Sequence, residues 1–295
     1  MTSVAVVAHR RKTLGGGLPE LRRRLDEAGF SEPAWYEVQR SRQAPKLARK
    51  AVDDGADLLF VWGGDGTVQR CIDAVAGSGV TIAVVPAGTA NLLATNLGLP
   101  IDLRGAVEIG LHGGRRRIDV GVVNGERFAV MAGAGFDAIM MKDTDGTLKD
   151  RFGRLGYVVS GARAARAPAP KVRVKVDGKM WFKGRAGCVL LGSMGTLAGG
   201  LKAFPDARAD DGLLEIAAVT AQGPLDWARV LGRLATGHAD RSPLARMTRG
   251  REIDVRFDRK TVYELDGGAR PPVRRLRAQV EPGAITVCVA DGARS

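Results

Sequence analysis

Residues 58–70 read LLFVWGGDGTVQR. An apolar run from Leu58 to Trp62 breaks into Gly63-Gly64-Asp65-Gly66-Thr67 and then resumes with a helical pattern. Glycines between a buried strand and a helix let backbone N–H groups approach a phosphate, and Thr67 adds a hydroxyl at the helix start. No Lys-Ser or Lys-Thr follows, so this is not a Walker A loop, and an aspartate stands where phosphates are expected. Bare phosphate would repel Asp65. The charge makes sense if Asp65 holds Mg2+, directly or through water, since the cation bridges phosphate oxygens and neutralises them. The competing reading is an ordinary strand-to-helix turn with Asp65 as its N-cap.

A second turn follows the next apolar run. After Thr81–Val85 comes Pro86-Ala87-Gly88-Thr89-Ala90-Asn91, with Thr89 and Asn91 offering short polar groups to ribose or phosphate. If the two strands are neighbours, both turns line one crevice at their carboxyl ends. A capped helix start is again the alternative. Around these turns strands (Val4–Ala8, Trp35–Val38) alternate with helices (Leu18–Ala28, Pro45–Asp54, Val68–Ala76, Leu92–Leu97, Leu103–Leu111). Such alternation implies a doubly wound α/β unit, a parallel sheet with helices on both faces.

Beyond about Arg115 the texture changes. Ile118–Val123, Asn124-Gly125 and Arg127–Met131 read as a hairpin, and Lys171–Val176 turns through Asp177-Gly178 into Met180–Lys183. Further strands are expected at 186–191, 214–219, 253–257, 261–265, 276–280 and 285–289, with helices only at 153–167 and 225–236. The chain therefore divides into an α/β nucleotide-binding domain over 1–125 and an antiparallel β-sandwich over 126–295, whose last ten or so residues return to the first domain. Gly133-Ala-Gly135-Phe-Asp-Ala138 mimics a dinucleotide fingerprint, but it follows an antiparallel strand and reads better as a tight turn. His9, His112 and His238 are scattered and form no catalytic set; His9 follows the first strand and could face the crevice. Two acidic turns remain. Asp206, Asp210 and Asp211 precede a strand and suit either a metal loop or a plain Asx turn. Glu264 and Asp266, in Tyr263–Gly268, share a strand end that could carry a general base into an interdomain cleft or simply be a polar hairpin end.

The 295 residues, 45% apolar, suffice for two cores, and no window reaches the ~18 apolar residues of a membrane span. The opening apolar run has its charges after it, the wrong order for a secretory leader. Cys71, Cys188 and Cys288 lie far apart in apolar runs and read as buried thiols of a reducing cytoplasm. A net charge of +13 suits anionic lipid, a phosphate-rich substrate or nucleic acid, or merely solvates the surface. With aromatics at 5% a base-stacking surface is disfavoured, so no nucleic-acid partner is expected.

In order and spacing the chain resembles the bacterial diacylglycerol kinase family of soluble lipid kinases, relatives of the sphingosine kinases. The matching segments are GGDGTVQ (63–69), PAGTANLLATNLGLP (86–100), RRIDVGVV (116–123), MAGAGFDA (131–138), LGYVVSGARA (155–164), FPDARADDGLLEI (204–216), and YELDGG with the later VEPGAITV. The GGDGT core alone is shared with NAD kinases and phosphofructokinases. The resemblance implies ATP between the two domains and attack of a lipid hydroxyl, diacylglycerol by default, on the γ-phosphate. Gly63, Gly64, Gly66, Thr67, Gly88, Thr89 and Asn91 match nucleotide-binding positions, and Asp65 would help place Mg2+. A second, structural metal would sit on the Asp211 side chain and the carbonyls of Arg208 and Leu213. The resemblance further implies a cytoplasmic protein docking peripherally on an anionic membrane, with a homodimer left open.

Three departures accompany the match. The first loop is His9–Gly15 in place of Asn-Pro-x-Ser/Ala-Gly, so phosphate contact there would use different atoms. Asn91-Leu92 stands where many members have Asn-Asp. The family's Asp-Gly-Glu or Asp-Gly-Asp, whose last acid is the base, reads Asp266-Gly267-Gly268. Asp266 or Glu264 substitutes, or positioning and Mg2+ activate the hydroxyl, or the enzyme is slow. The rivals are an NAD kinase-like small-molecule kinase and a catalytically weakened lipid- or nucleotide-binding protein.

Overall fold

The computed structural model describes residues 2–135 and 169–292. The helix expected over 153–167, the segment 155–164 and the end of the 131–138 motif lie outside them. The first half runs β1 (Val4–His9), α1 (Gly17–Glu27), β2 (Ala34–Val38), α2 (Ala44–Asp53), β3 (Leu58–Gly63), α3 (Asp65–Val75), β4 (Thr81–Pro86), α4 (Leu92–Asn96) and α5 (Leu103–His112). Its strands pair in parallel in the order β2-β1-β3-β4. Period-two alternation sends Ala5, Val7, Leu59 and Val61 into one core with α2, α3 and α4. Val4, Val6, Leu58, Phe60 and Trp62 enter the opposite core with α1 and α5. Both faces are covered, so these strands read as unbroken apolar runs. Gly110 of α5 is there for closeness: a Cβ would lie 2.4 Å from the Phe60 ring.

The second half contains β5 (Gly114–Val123), β6 (Glu126–Phe128), β7 (Met131–Ala134), β8 (Lys171–Val176), β9 (Lys179–Arg185), β10 (Cys188–Gly192), β11 (Leu214–Val219), α6 (Pro224–Ala235), β12 (Ala245–Gly250), β13 (Glu252–Leu265) and β14 (Gly268–Val289). It is antiparallel around its own core of Val172, Val174, Leu214, Ile216, Val255 and Leu276. Three hairpins turn on left-handed pairs, Asn124-Gly125, Asp177-Gly178 and Asp266-Gly267, as two-residue loops require. The strands expected separately at 253–257 and 261–265 are one strand, irregular between Arg256 and Thr261, where Asp258-Arg259-Lys260 mimics a turn. Likewise 276–280 and 285–289 fuse in β14, with a shift between Glu281 and Ile285. Polar β12 (ARMTRG) carries no apolar alternation and went unexpected; it forms an edge beside β11.

Strand β14 joins the halves. Its start pairs with β13, while Thr286 and Val287 lie parallel to Thr81 and Ile82 of β4. One hydrogen-bonded sheet therefore passes through both units. A buried acid holds the joint: Asp119 of β5, 2% exposed, accepts Gly212 N–H at 2.6 Å and Gly283 N–H at 2.7 Å. Among the described residues no helix is long and apolar enough to cross a membrane. All three cysteines are buried and free.

Replacing Asp119 by Ala leaves two N–H groups without their acceptor, at about 1–3 kcal/mol each. Urea denaturation of Asp119→Ala is expected to show a loss of about 2–6 kcal/mol.

Candidate active site

Strand order reverses between β1 and β3, so the loops after β1, β3 and β4 converge on one crevice. Gly63 pairs with Pro86, which makes the two glycine turns direct neighbours. They touch through backbone: a Cβ on Gly88 would stand 2.5 Å from Gly64 Cα, and one on Gly64 3.1 Å from Gly88 Cα. Gly88 admits no side chain without moving the opposite backbone, and Gly64 is tightly confined. Gly63 is constrained from another side, its Cβ position lying 2.6 Å from the Thr67 side chain.

Asp65 is the first residue of α3, and Gly64, without a side chain, holds the cap position. Its carboxylate does not serve its own helix as a classical side-chain cap would. It accepts Asn91 N–H at 3.1 Å and Leu92 N–H, binding the start of α4 to the first glycine turn. Its own backbone N–H stabilises the carboxylate as well. Burial raises its pKa against those N–H groups. Asn91 is left-handed (φ 47°), and its side chain is taken up inside its own turn. Oδ1 accepts Gly88 N–H at 2.9 Å, and Nδ2 donates to the Pro86 and Gly88 carbonyls. Thr67, 1% exposed, bonds Ser41 at 2.9 Å and lies under the turn. Thr89 is exposed at the rim. Asn91 and Thr67 thus shape the cradle, whereas Thr89 is exposed and Gly66 is half-buried near Ser41.

Lys12 is the group that motif reading passed over. The Trp62 indole donates to the Lys12 carbonyl at 3.1 Å, which folds the first loop back onto β3. The Lys12 side chain then crosses the glycine contact, with Cε 3.9 Å from the Cβ position of Gly64. His9 is buried beside it, its Nδ1 accepting Arg11 N–H, and burial together with Lys12 lowers its pKa. It stays neutral at pH 7 and orders the loop.

The crevice beneath the turns is lined by Asp65, Gln69, Leu92, Val130 and Asp266 among others. Asp266, 4% exposed, accepts three backbone N–H bonds: Ala129 on Oδ2, Val130 and Met131 on Oδ1, all at 2.8–2.9 Å. Burial nevertheless pushes it up to about 6, with Asp65 adding to the rise. Glu264, the other candidate base, does not line this crevice. It faces the Cα of Gly133 and is close enough to Cys188 to raise the thiol. Its separation from Asp266 follows from the turn: the strand ends at Leu265, and the left-handed Asp266 breaks the alternation that puts 264 and 266 on one face.

Gly268 lacks an acid, and its side-chain space is taken. A Cβ there would lie 2.8 Å from Arg270 Nη1. That guanidinium donates to the Gly268 carbonyl, forms a two-bond pair with Glu126 and reaches Gln69 Oε1 at 3.2 Å. Gln69 on α3 donates in turn to the Arg127 carbonyl. Asp73, also on α3, accepts Arg127 N–H at 3.0 Å. The glycine-turn helix is thereby tied to the β6 strand and to the Asp266–Gly268 hairpin. No sequence signal marked Arg270 or Glu126; Asp119, an acid in the apolar strand IDVGVV, did carry one.

The 204–216 loop is ordered by protein groups. Asp210 pairs with Arg116 at 2.8 Å, Gly212 N–H goes to Asp119, and Asp211 Oδ1 accepts Leu213 N–H at 3.1 Å. No three metal-ligating side chains converge among the described residues. Burial raises Glu215, with Asp211 and Asp206 adding to the rise.

For Asp266 the folded pKa of about 6 lies above its ordinary 3.8, so the folded chain binds more protons between these values. Its contribution to stability is full below pH 4 and declines as pH rises through 6. Compared with Asp266→Asn, in which this titration is absent, the parent is expected to lose about 2 kcal/mol of relative stability between pH 4.5 and 7. Denaturant titrations of both chains at the two pH values measure it; a gap independent of pH contradicts the assignment.

Residues 11–123 match the diacylglycerol kinase catalytic domain, and residues 130–289 the YegS C-terminal NAD kinase beta sandwich-like domain. A diacylglycerol kinase of Staphylococcus saprophyticus is 26% identical over 253 residues, 85% of this chain and 82% of that protein. One from Staphylococcus epidermidis is 27% identical over 267 residues, 89% and 84% of the two chains. In fold, a putative diacylglycerol kinase from Bacillus anthracis superposes with TM-score 0.80 at 22% identity over 97% of this chain and 95% of that one. An NAD kinase from Archaeoglobus fulgidus in complex with ATP gives 0.53 at 13% identity, covering 97% and 93%. With two family models meeting where the α/β unit gives way to the antiparallel one, the chain belongs to the diacylglycerol kinase family, with an NAD kinase-like second domain, and is a kinase.

Proposed function

We propose that the protein is an ATP-dependent lipid kinase that transfers the γ-phosphate to a lipid hydroxyl, with diacylglycerol the default acceptor. The observation that carries this reading is the backbone contact of Gly64 with Gly88, with the Lys12 side chain beside Gly64 and close enough to Asp65 to act on its charge. A triphosphate is recognised by such a cradle because peptide groups come within hydrogen-bonding reach and the lysine supplies charge.

Mg2+ fits the donor set. Two carboxylates, Asp65 and Asp266, line the same crevice. The cation would supply charge neutralisation of the phosphates. A second cation on Asp211 and the Arg208 and Leu213 carbonyls has an electrostatic reason in the Asp206–Asp211–Glu215 crowding. Of the candidate bases Asp266 is the one in the crevice. Ionised at neutral pH, it accepts a single N–H on Oδ2 and can take the hydroxyl proton there. The hydroxyl oxygen bonds to the γ-phosphorus as the bond to the β,γ-bridging oxygen breaks and ADP departs. Glu264 orders β13 against β7 in this reading. The chain works as a cytoplasmic enzyme on a lipid surface.

ATP consumption measured with diacylglycerol, a sphingoid base and NAD side by side is expected to respond to diacylglycerol. Turnover with NAD alone overturns the proposal. A binding protein without turnover is the second reading, favoured by Gly268; Gly268→Glu must displace Arg270 and is expected to lower any parental activity, whereas activity created by it would establish that reading.

Gly88→Ala drives backbone against backbone. It is expected to cost about 1–3 kcal/mol in stability and roughly 100-fold in kcat/KM for ATP, read by denaturation and initial rates.

A further inference from the structure

Helix α4 follows the second glycine turn, and its last residue reaches into the other half of the chain. Asn96 Nδ2 donates to the Thr196 carbonyl at 2.8 Å while Thr196 N–H donates to Asn96 Oδ1 at 2.9 Å, across 100 residues of sequence. A carboxamide presents a donor and an acceptor side by side, as a peptide does, so the pair imitates one rung of a sheet. Helix capping does not call for it. The helix is already closed by Gly98, left-handed at φ 64°, with Leu99 N–H returning to the Ala94 carbonyl at 2.8 Å. Thr196 lies in a strap, residues 193–204, that leaves the antiparallel unit and lays Met194, Ala203 and Phe204 in the same core as Leu92, Leu93 and Leu97. The strap is braced internally. Ala203 and Phe204 N–H both donate to the Gly195 carbonyl, Leu197 N–H donates to the Leu201 carbonyl, and a Cβ on Gly195 would fall 2.0 Å from the Phe204 carbonyl oxygen. At the start of the strap, Ser193 and Met194 N–H donate to the Val130 carbonyl at 3.0 and 3.2 Å, and Val130 N–H in turn donates to Asp266.

A closed circuit of bonds results. Asp65 holds the start of α4, Asn96 passes from its end to the strap, the strap holds Val130, and Val130 bonds Asp266. The return runs from the hairpin through Arg270 and Gln69 along α3 to Asp65. Asp65, Gln69, Leu92, Val130 and Asp266, all members of the circuit, line the crevice. We infer that Asn96 is a positioning residue, whose clasp on Thr196 sets the separation of the Asp65 turn from the Asp266 hairpin and so the alignment of phosphoryl donor with acceptor. This rests on the kinase reading for what the crevice holds. Loss of the clasp costs rate rather than nucleotide binding, because the Gly64–Gly88 contact and Lys12 lie outside the substituted pair.

Two measurements on the full chain test this, each with Asn96→Ala and with Asn96→Asp, which keeps the volume and an acceptor but loses the donor. In turnover of ATP with a short-chain diacylglycerol in neutral detergent, kcat is expected to fall roughly 30-fold in both variants, while KM for ATP stays within about threefold. In amide hydrogen exchange without ligands, the N–H groups of Leu92, Val130 and Met131 are expected to exchange roughly tenfold faster in both. Val174 and Val255, buried in the core of the antiparallel unit, are expected to keep their parental rates. An unchanged kcat, or a KM for ATP that rises at constant kcat, overturns the positioning role. So does faster exchange confined to Thr196, which reduces the clasp to a local contact. A general rise that includes Val174 and Val255 makes Asn96 a residue of overall stability and overturns it as well. The two levels fail separately: if the parent shows no turnover with diacylglycerol, the lipid-kinase reading falls, and exchange at Leu92, Val130 and Met131 decides the clasp by itself.

Discussion

Everything at the crevice depends on two peptide planes meeting where no side chain fits. Gly64 and Gly88 approach so closely that an added methyl would overlap the opposite backbone at 2.5 Å. This contact exists because β3 and β4 are parallel neighbours ending in register, Gly63 against Pro86. Asp65 then secures it, bonding across to the N–H groups of Asn91 and Leu92. Bringing peptides together creates donors that must be satisfied, and a buried carboxylate does so with charge-assisted bonds. The residue that looked misplaced among glycines is the one that makes their proximity sustainable.

The same device recurs twice. Asp119 gathers N–H groups from the 212 and 283 loops, and Asp266 gathers three from residues 129 to 131. In each case an acid on or beside a strand accepts from chain segments remote in sequence, so long-range order comes from side chain to backbone bonds where ladders stop. Strand β14 connects these points. It begins two residues after Asp266, passes the 283 loop that Asp119 holds, and ends beside β4. The hairpin facing the crevice and the strand carrying the second glycine turn are therefore linked through β14, which starts at the one and pairs with the other.

Much of this was legible. The alternation of runs and glycine turns identified the parallel sheet, because strands covered on both faces have no choice but continuous apolarity. Asn-Gly and Asp-Gly marked hairpins because left-handed residues are needed there. What was not legible was which atoms a polar residue would meet. Asn91 and Thr67 have the types of ligand-binding residues, yet their side chains turn inward, to the Pro86–Asn91 turn and to Ser41. Glu264 and Asp266 fit one face by parity, but a left-handed residue resets parity. Arg270 gave no signal, since its importance comes from Glu126 and Gln69, both more than a hundred residues away. Strand fusion in β13 was hidden by a charged triplet that resembles a turn and is tolerated at a bulge.

The missing acid at Gly268 then has a physical account. A carboxylate at that position would need space and a charge balance. Here Arg270 fills the space and Glu126 supplies the balance from another strand, so negative charge is retained in the neighbourhood but held in a two-bond pair. A carboxylate so paired is held well below its ordinary range and makes a poor proton acceptor. Asp266, pushed in the other direction by burial, keeps an appreciable proton affinity near neutrality. The two acids are separated in basicity by their surroundings: Glu126 is held in its pair with Arg270, and Asp266 keeps its proton affinity through burial. Phosphoryl transfer leans chiefly on orientation and charge neutralisation, so a rigid hairpin locked to α3 through Gln69 can be worth more to it than a stronger base on a looser turn.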